Sequence, residues 1–285
     1  SDSARQLLEK LVAAYREAEH YQDRGEVTLR YRLQGSLQQD TAQLVTRWSS
    51  SGDLFMRCYQ LEVACQDDRL RARMHDKETA DLDGQVLSIP TGEQLTLDTL
   101  FSDPLLMETL QAGRVGMPLP VVLLMDPVSL VEQLGDEAGL ELLEDRSLRE
   151  KPCRRLQLST AGASFVLWID AKEMVVMRQE FPVSLFADDL AEDPRVSEIS
   201  LQADFHEAEF PQTIAESGFL LNEPVNPVTV GHFVPPPAPP TTDLYGRRPG
   251  RFELVDVEDE VVTRDSLRGR ITTLLWCRAD ASSRQ

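Results

Sequence analysis

Apolar and polar residues alternate along several stretches of the chain, and this alternation predicts strands with one dry face and one wet face. In residues 25–34, Val27, Leu29, Tyr31 and Leu33 fall on one face, and polar or charged residues fall on the other. Side chains alternate across a strand, so such strands belong to an antiparallel sheet with one side in water. The alternation recurs at residues 69–75 and 200–206. The dry face of this sheet needs a cover.

Two stretches with helical spacing can supply that cover. Residues 3–21 place apolar side chains three and four positions apart, with Asp2 or Ser3 as the N-cap. Between residues 95 and 135 the period is again helical, and Ser102-Asp103-Pro104 predicts a helix start. Short helices or turns are expected at 121–125 and 127–134. The insertion is typical of a lid over an apolar surface, and a plain helical core layer explains it equally well.

Further alternating or apolar stretches complete the predicted sheet. They lie at residues 41–49, 54–63 and 85–89, and then at 140–143, 153–159, 164–170, 173–181 and 196–210. Short polar turns join the first five strands into an antiparallel meander, and Asp170-Ala171-Lys172-Glu173 predicts a hairpin. The predicted fold class is α+β, with a curved antiparallel sheet whose concave face is covered by helices.

A run of prolines divides the chain. Residues 234–240 read Val-Pro-Pro-Pro-Ala-Pro-Pro, which favours an extended polyproline spacer. We predict a first domain at residues 1–233, a linker at 234–250 and a separate segment at 251–285. The sequence starts with Ser1 and has no initiating Met, so we expect a processed form or a fragment.

Charge and hydropathy narrow the possible partners. The formal net charge of −19 argues against nucleic acid, which is bound by clustered Lys and Arg. No run of 18 apolar residues is present, so we predict no transmembrane helix. The sequence does not specify a protein partner.

No motif indicates catalysis or metal binding. The four cysteines form neither a CxxC pair nor a zinc spacing, and each is expected to be a small buried hydrophobe. Cys58 and Cys65 would face opposite ways on a single strand, and a disulfide from either to Cys153 stays open. Ser164 lacks the second glycine of a nucleophile elbow, and the four histidines have no ligand spacing. We predict no catalytic residue, no metal site and no cofactor.

The segment after the linker resembles the opening of a thioredoxin-like domain of the TlpA/redoxin type. The resemblance rests on Phe252-Glu253-Leu254-Val255-Asp256, then Leu267-Arg268-Gly269-Arg270, then an apolar strand ending at Trp276. It implies that residues 251–285 form the first strands of such a domain. The family's Trp-Cys-x-x-Cys is absent: Cys277 is followed three positions later by Asp280. Asp cannot take part in thiol–disulfide exchange, so the resemblance implies the fold and not the activity.

The first 233 residues resemble the LolA-like lipoprotein-carrier folds, in which an incomplete antiparallel barrel holds helices against its apolar concave face. The resemblance rests on the leading helix, the run Tyr21-Gln22-Asp23-Arg24-Gly25-Glu26-Val27, the helical insertion, the stretch Phe165-Val166-Leu167-Trp168-Ile169-Asp170 and the ending Gly231-His232-Phe233-Val234. Such a module followed by a proline linker and a redoxin-type segment resembles bacterial cell-envelope proteins. It implies an extracytoplasmic location in the periplasm or cell envelope.

The resemblance makes the apolar face a candidate site for a lipid, a lipoprotein acyl chain or another apolar molecule. The candidate lining residues are Val27, Leu29, Tyr31, Leu33, Leu70, Ala72, Met74, Leu156, Leu158, Phe165, Leu167, Leu201 and Phe205. A filled core requires the same residue types as a cavity, so the sequence does not separate the two. The alternatives are a thiol–disulfide oxidoreductase of the cell envelope and a structural or interaction scaffold without ligand.

Overall fold

The structure is a computed structural model of the chain. It describes residues 3–75, 82, 84–92, 95–112, 115–126, 139–160, 163–235, 250–256 and 259–269. Two compact units are present, Ser1–Pro236 and Pro237–Gln285. Most of the predicted linker, the predicted helix at 127–134 and the stretch around Cys277 lie outside the described residues.

The first unit begins with a helix and continues as a run of strands. Helix α1 (Ala4–Glu17) precedes β1 (His20–Leu33), β2 (Ser36–Ser49), β3 (Leu54–Cys58), β4 (Leu61–Gln66), β5 (Arg69–Met74) and β6 (Gln85–Pro90). Helices α2 (Leu97–Leu100), α3 (Pro104–Ala112) and α4 (Leu119–Met125) follow.

The second half of this unit returns to strands. It comprises β7 (Gly139–Leu148), β8 (Lys151–Thr160), β9 (Ala163–Asp170), β10 (Val176–Phe181), the short helices α5 (Val183–Phe186) and α6 (Asp188–Glu192), and β11 (Val196–Phe205). A 3-10 turn (Glu216–Phe219) and β12 (Val228–Val230) end the unit. In the second unit, β13 (Glu253–Val255) and β14 (Val261–Thr263) pair as an antiparallel hairpin.

Twelve strands of the first unit form one open sheet in the order β12-β6-β5-β4-β3-β2-β1-β11-β10-β9-β8-β7. Neighbouring strands are antiparallel except β12, which lies parallel to β6. The sheet therefore consists of two meanders, β1–β6 and β7–β11, joined by the non-local pairing of β1 with β11, and of β12, which is added beside β6. The predicted α+β class with a large antiparallel sheet is confirmed.

The two faces of the sheet bury different material. The inner face, which includes Val27, Leu44 and Met56, packs with α1 and α4 into the main core. The outer face carries a smaller apolar cluster around Phe55 and Phe219. Each strand supplies both faces because its side chains alternate.

Several predicted boundaries were wrong. The first strand begins at His20 and not at residue 25, β2 begins at Ser36 and not at residue 41, β7 ends at Leu148 and not at residue 143, and β10 begins at Val176 and not at residue 173. The strand expected at 54–63 is the two strands β3 and β4, because Tyr59 takes a positive φ of 59° and the chain reverses there. The leading helix ends at Glu17 and not at residue 21, because Ala18 is already extended and Tyr21 pairs with Trp48. The last strand ends at Phe205 and not at residue 210.

The turn at Tyr59 also changes the placement of the cysteines. Cys58 and Cys65 lie on successive strands, and both face the main core instead of opposite sides. Cys58, Cys65 and Cys153 are buried free thiols, so no disulfide joins these three. The expectation that each fills the core as a small hydrophobe is confirmed for them.

The end of the first unit is fastened by two polar side chains. Asp103 caps α3 as predicted, with Oδ1 accepting from the backbone N–H groups of Leu105 and Leu106 at 3.0 and 3.1 Å. Its Oδ2 accepts from the backbone N–H of Phe233 at 2.8 Å. The Gln85 side chain pairs with both backbone groups of Val234, at 2.9 and 2.8 Å. We call these contacts the clasp.

Gly25, on β1, has no room for a side chain beside β11. A Cβ atom added there would lie 2.0 Å from the backbone oxygen of Asp204. No side chain can relieve this clash, because the obstructing atom belongs to the backbone of the neighbouring strand.

We predict that Gly25→Ala destabilises the first unit by roughly 2 kcal/mol or more, as expected for strain within a strand pair. Urea unfolding followed by circular dichroism measures this change. Gly231→Ala is the matched control, since an added Cβ there meets no atom within 4 Å. Equal unfolding midpoints for the two variants would show that β1 and β11 separate easily at Gly25.

Candidate functional site

The predicted lining residues divide into a buried group and a half-buried group. The buried group, all in the main core, is Val27, Leu70, Ala72, Met74, Leu156, Leu158, Leu167, Leu201 and Phe205. The half-buried group is Leu29, Tyr31, Leu33 and Phe165. The structure thus brings most of them together on the inner face, and whether they hold a ligand stays a prediction.

The half-buried residues lie at one end of the inner face. Leu29 pairs with Leu201, and Leu201 pairs with Phe181. The Phe181 ring meets that of Phe165 edge-on, with centroids 6.1 Å apart. The row continues across β8 and β7 through Leu158 and Leu140. An apolar row therefore crosses six adjacent strands, from β1 to β7.

Within this row, and beyond it along β1, several apolar side chains are partly exposed. We call them the apolar rim: Leu29, Tyr31, Leu33, Leu140 and Phe165, all of which are half-buried. The neighbouring strand β2 is also exposed at this end, since its first six residues, which pair with the end of β1, are exposed. Leu140 was not among the predicted lining residues, although its alternation with Leu142 in the sequence could have placed it there.

Helices α1 and α4 cover the rest of the inner face. Helix α1 buries Leu7, Leu8, Leu11, Val12 and Tyr15. It starts at a capping box in which Ser3 accepts from Gln6 N at 3.2 Å and Gln6 Oε1 accepts from Ser3 N at 2.8 Å. Helices α1 and α4 each bury five residues, as many as a single strand such as β4. The sequence prediction named no residue of these helices as a lining residue.

A polar network lies inside the core beneath α1. The Tyr21 hydroxyl donates to Asp23 Oδ2 at 2.9 Å, and Asp23 Oδ1 accepts from the Thr46 backbone N–H at 3.0 Å. The Tyr15 hydroxyl accepts from the Val176 backbone N–H at 3.1 Å. The contacts of Asp23 connect β1 with β2, and the contact of Tyr15 connects α1 with β10. Sequence reasoning missed the network because it started the strand at Gly25, which left Asp23 in a loop.

Burial governs the ionisation of Asp23. The carboxyl group is 3% exposed. Desolvation raises the pKa of Asp23 from 3.8 to about 7, although hydrogen bonds from Tyr21 and Thr46 act in the opposite direction. Taking a charge out of water without a cation beside it is costly, so the neutral acid is the form that the fold favours.

The titration of Asp23 predicts a pH-dependent stability. The pKa of Asp23 is higher in the fold, about 7, than the ordinary value of 3.8, so its contribution is fully present below about pH 4. That contribution is lost as the pH rises through 7, at up to about 1.4 kcal/mol per pH unit. We predict that Asp23→Asn removes this dependence.

Urea unfolding of the wild type and Asp23→Asn between pH 4.5 and 8.5 tests this expectation. The free energy of unfolding of the variant should rise relative to that of the wild type as the pH increases. The amide can accept from Thr46 and donate to Tyr21, so the contacts are conserved. Parallel curves for the two proteins would show that Asp23 does not titrate in this range.

Two cavities lie elsewhere on the first unit. One, of about 400 Å³, is lined by Ile89, Pro90, Asp98, Thr99, Ser102, Asp103 and Gly231. The other, of about 480 Å³, lies on the outer face and includes Arg69, Arg71, Ser88, Phe219 and Leu221 among its lining residues. No predicted lining residue of the inner face borders either cavity.

The described residues contain no group of three or more His, Cys, Asp or Glu side chains placed to hold a metal ion. None of the helices that the structure describes combines the length and the apolar character needed to cross a bilayer. The core thiols are poor nucleophiles: burial raises the pKa of Cys65 to about 11, and it raises the pKa of Cys58 and Cys153 as well.

Comparison with known proteins gives structural neighbours only. No protein-family model and no curated protein matches the chain. The Pseudomonas aeruginosa MucA/MucB complex is similar at 16% identity and a TM-score of 0.37, over 76% of this chain and 60% of that chain. The Mycobacterium tuberculosis lipoprotein LppX has 10% identity and a TM-score of 0.33, over 75% of this chain and 100% of that chain.

A LolA superfamily protein from Nitrosomonas europaea is a third neighbour, at 11% identity and a TM-score of 0.28, over 78% of this chain and 99% of that chain. The chain spans about 60% of the length of MucB. Lipoprotein-carrier-like proteins of the LolA superfamily are thus among the structural neighbours. These structural neighbours do not support the thioredoxin resemblance of residues 251–285.

Proposed function

We propose that the first unit is an extracytoplasmic, non-catalytic binding module for an acyl-chain-bearing ligand, either a lipid or a lipoprotein. The observation that carries the proposal is the apolar rim. Leu29, Phe165 and Leu140 belong to one row across six strands, yet each is only half-buried. A linear hydrocarbon chain laid along this row would take the exposed part of each side chain out of water.

The energetics favour a chain-like ligand. Each methylene group transferred from water contributes about 0.8 kcal/mol, so a few methylenes offset much of the cost of association. The β1 residues of the rim are apolar, because the polar side chains of β1 point to the outer face. On β2, Asp40 pairs with Leu29 and borders the rim. An apolar row of this length suits an acyl chain better than a polar small molecule.

The redox alternative receives less support from the described residues. Cys58, Cys65 and Cys153 are buried, and burial raises their pKa values. Thiol exchange requires an accessible thiolate. In the second unit the structure describes only the β13–β14 hairpin as strands, so the thioredoxin-like assignment of residues 251–285 remains a prediction from the sequence.

We predict that Leu29→Glu weakens binding of a fluorescent fatty acid at least ten-fold, because the charged side chain would be desolvated beneath the hydrocarbon. Leu37→Glu is the matched control. Leu37 lies on the neighbouring strand β2 and is 54% exposed, and its partner Arg32 belongs to the outer face. Leu167 is unsuitable for a charge because it is fully buried.

Fluorescence titration of the full chain measures the two affinities, and native mass spectrometry with lipid extraction identifies any acyl species that co-purifies. Circular dichroism verifies that both variants fold. Wild-type protein that binds no fatty acid and carries no acyl species would exclude the module as a lipid carrier. Equal binding by both variants would place the ligand away from the rim.

A further inference from the structure

The segment after β11 crosses the outer face of the sheet. We call residues 206–227 the strap. It pairs with β1 through a bridge between Gln22 and Glu209, makes a 3-10 turn at Glu216–Phe219, and then reaches β12 beside β6. Phe210, near its start, still packs with the rings of Tyr15 and Tyr21 in the main core. From Ile214 to Glu223 the strap lies against the outer face, over β2, β3, β4 and β5.

The Phe219 side chain anchors the strap on the outer face. Phe219 is 3% exposed and packs with Val45, Phe55 and Ala64, which are outer-face residues of β2, β3 and β4. Gly218 allows the close approach, since an added Cβ would lie 3.1 Å from Ile214 Cγ2 and 3.3 Å from Arg47 Cδ. The strap thus inserts a single ring into an apolar depression of the outer face.

Arginines on the outer face hold the strap backbone and one of its carboxylates. Arg47 Nη1 donates to the Gly218 carbonyl at 2.9 Å, and Arg73 donates to the Asn222 carbonyl. Arg71 forms an ion pair with Glu223, four residues beyond Phe219. The groove is thus lined by an apolar depression and by three guanidinium groups, and each guanidinium carries several fixed donors.

The way the strap is held is that of a bound peptide. In the part of the chain that the structure describes, no backbone–backbone hydrogen bond joins residues 210–227 to the sheet. Side chains of the face make the contacts instead. Leu220 and Val225, on the same segment, are 60% and 97% exposed.

Charge complementarity points to the chemistry of the occupant. Residues 206–227 contain four glutamates and neither lysine nor arginine, whereas the face beneath offers Arg47, Arg71 and Arg73. The cavity of about 480 Å³ beside Phe219 and Glu223 includes Arg69 and Ser88 in its lining, and it extends the groove past the strap. The groove therefore suits an extended acidic segment that carries an aromatic residue.

We propose that this groove is a docking site for an extended acidic segment of a partner protein, and that the strap occupies it in cis. The partner segment places an aromatic ring in the depression filled by Phe219 and a carboxylate, four residues later, on Arg71. Its binding displaces the strap. The site lies on the outer face and is independent of ligand binding at the apolar rim.

A labelled peptide with the sequence of residues 213–225 is the probe, and fluorescence anisotropy with the full chain is the measurement. Phe219→Ala in the protein removes the anchor of the strap and leaves the groove intact. We expect this variant to bind the peptide at least ten-fold more tightly than the wild type. Adding Arg71→Glu to Phe219→Ala should abolish that gain.

Matched controls separate docking from loosening of the fold. Glu216→Gln makes the same kind of change on the strap as Glu223→Gln, but only Glu223 pairs with Arg71. Glu223→Gln should bind the peptide about three-fold more tightly than Glu216→Gln, and this pair decides the outcome if Phe219→Ala does not fold. A peptide that lacks its phenylalanine and its second glutamate should not bind.

Two results would overturn the proposal. The first is a folded Phe219→Ala protein that binds the peptide no more tightly than the wild type. If Phe219→Ala does not fold, the corresponding result is a Glu223→Gln protein that binds the peptide no more tightly than Glu216→Gln. The second is a strap-loosened variant that sediments as a dimer and rejects the peptide, because the groove would then accept the strap of a second copy and not a partner segment.

Discussion

The pairing of β1 with β11 holds the first unit together. Each of the two meanders is built from neighbours in sequence, and this one ladder, from Gly25–Phe205 to Leu33–Val196, joins them. The ladder closes a loop of well over a hundred residues, so its formation costs more chain entropy than any hairpin in the sheet. The apolar row and the core beneath α1 exist only once it has formed. Gly25, which pairs with Phe205 in this ladder, has no room for a Cβ atom.

The two faces of the sheet solve different physical problems. The inner face is covered by helices whose side chains fill it, except at the rim. The outer face carries buried and half-buried charges, several of which form ion pairs. Glu62 is fully buried and forms an ion pair with Arg57. Asp204 Oδ1 forms ion pairs with Nη2 of Arg149 at 2.7 Å and with Nη2 of Arg178 at 2.8 Å. Removing one partner of such a pair would leave the other charge buried without its counter-charge, which would destabilise the first unit.

Strand alternation predicted most of the sheet from sequence, because the period of two survives in every strand with one wet face. The split of residues 54–63 was missed because Tyr59 is not a residue type that marks a left-handed turn. The register between β1 and β11 was beyond reach, since alternation fixes which face a residue takes but not which distant strand it meets.

The candidate sites were predicted to different degrees for the same reason. The lining residues of β1, such as Leu29, follow from period two, whereas the exposure that defines the rim depends on where the helices end. The sequence prediction placed Asp23 in a loop because it started the first strand at Gly25, whereas β1 starts at His20. The strap has neither period, so the sequence did not place Phe219 over Phe55 or Glu223 beside Arg71.

The clasp has a consequence for the strap. The Gln22–Glu209 bridge fixes one end of the strap, and the contacts of Gln85 and Asp103 fix the chain just beyond the other. A displaced strap therefore stays near its groove and rebinds as a tethered ligand, at an effective concentration on the order of millimolar. A free segment present at micromolar concentration must outbind it by about a thousand-fold, or about 4 kcal/mol. The tether thus sets an affinity threshold, below which the groove stays closed to outside segments.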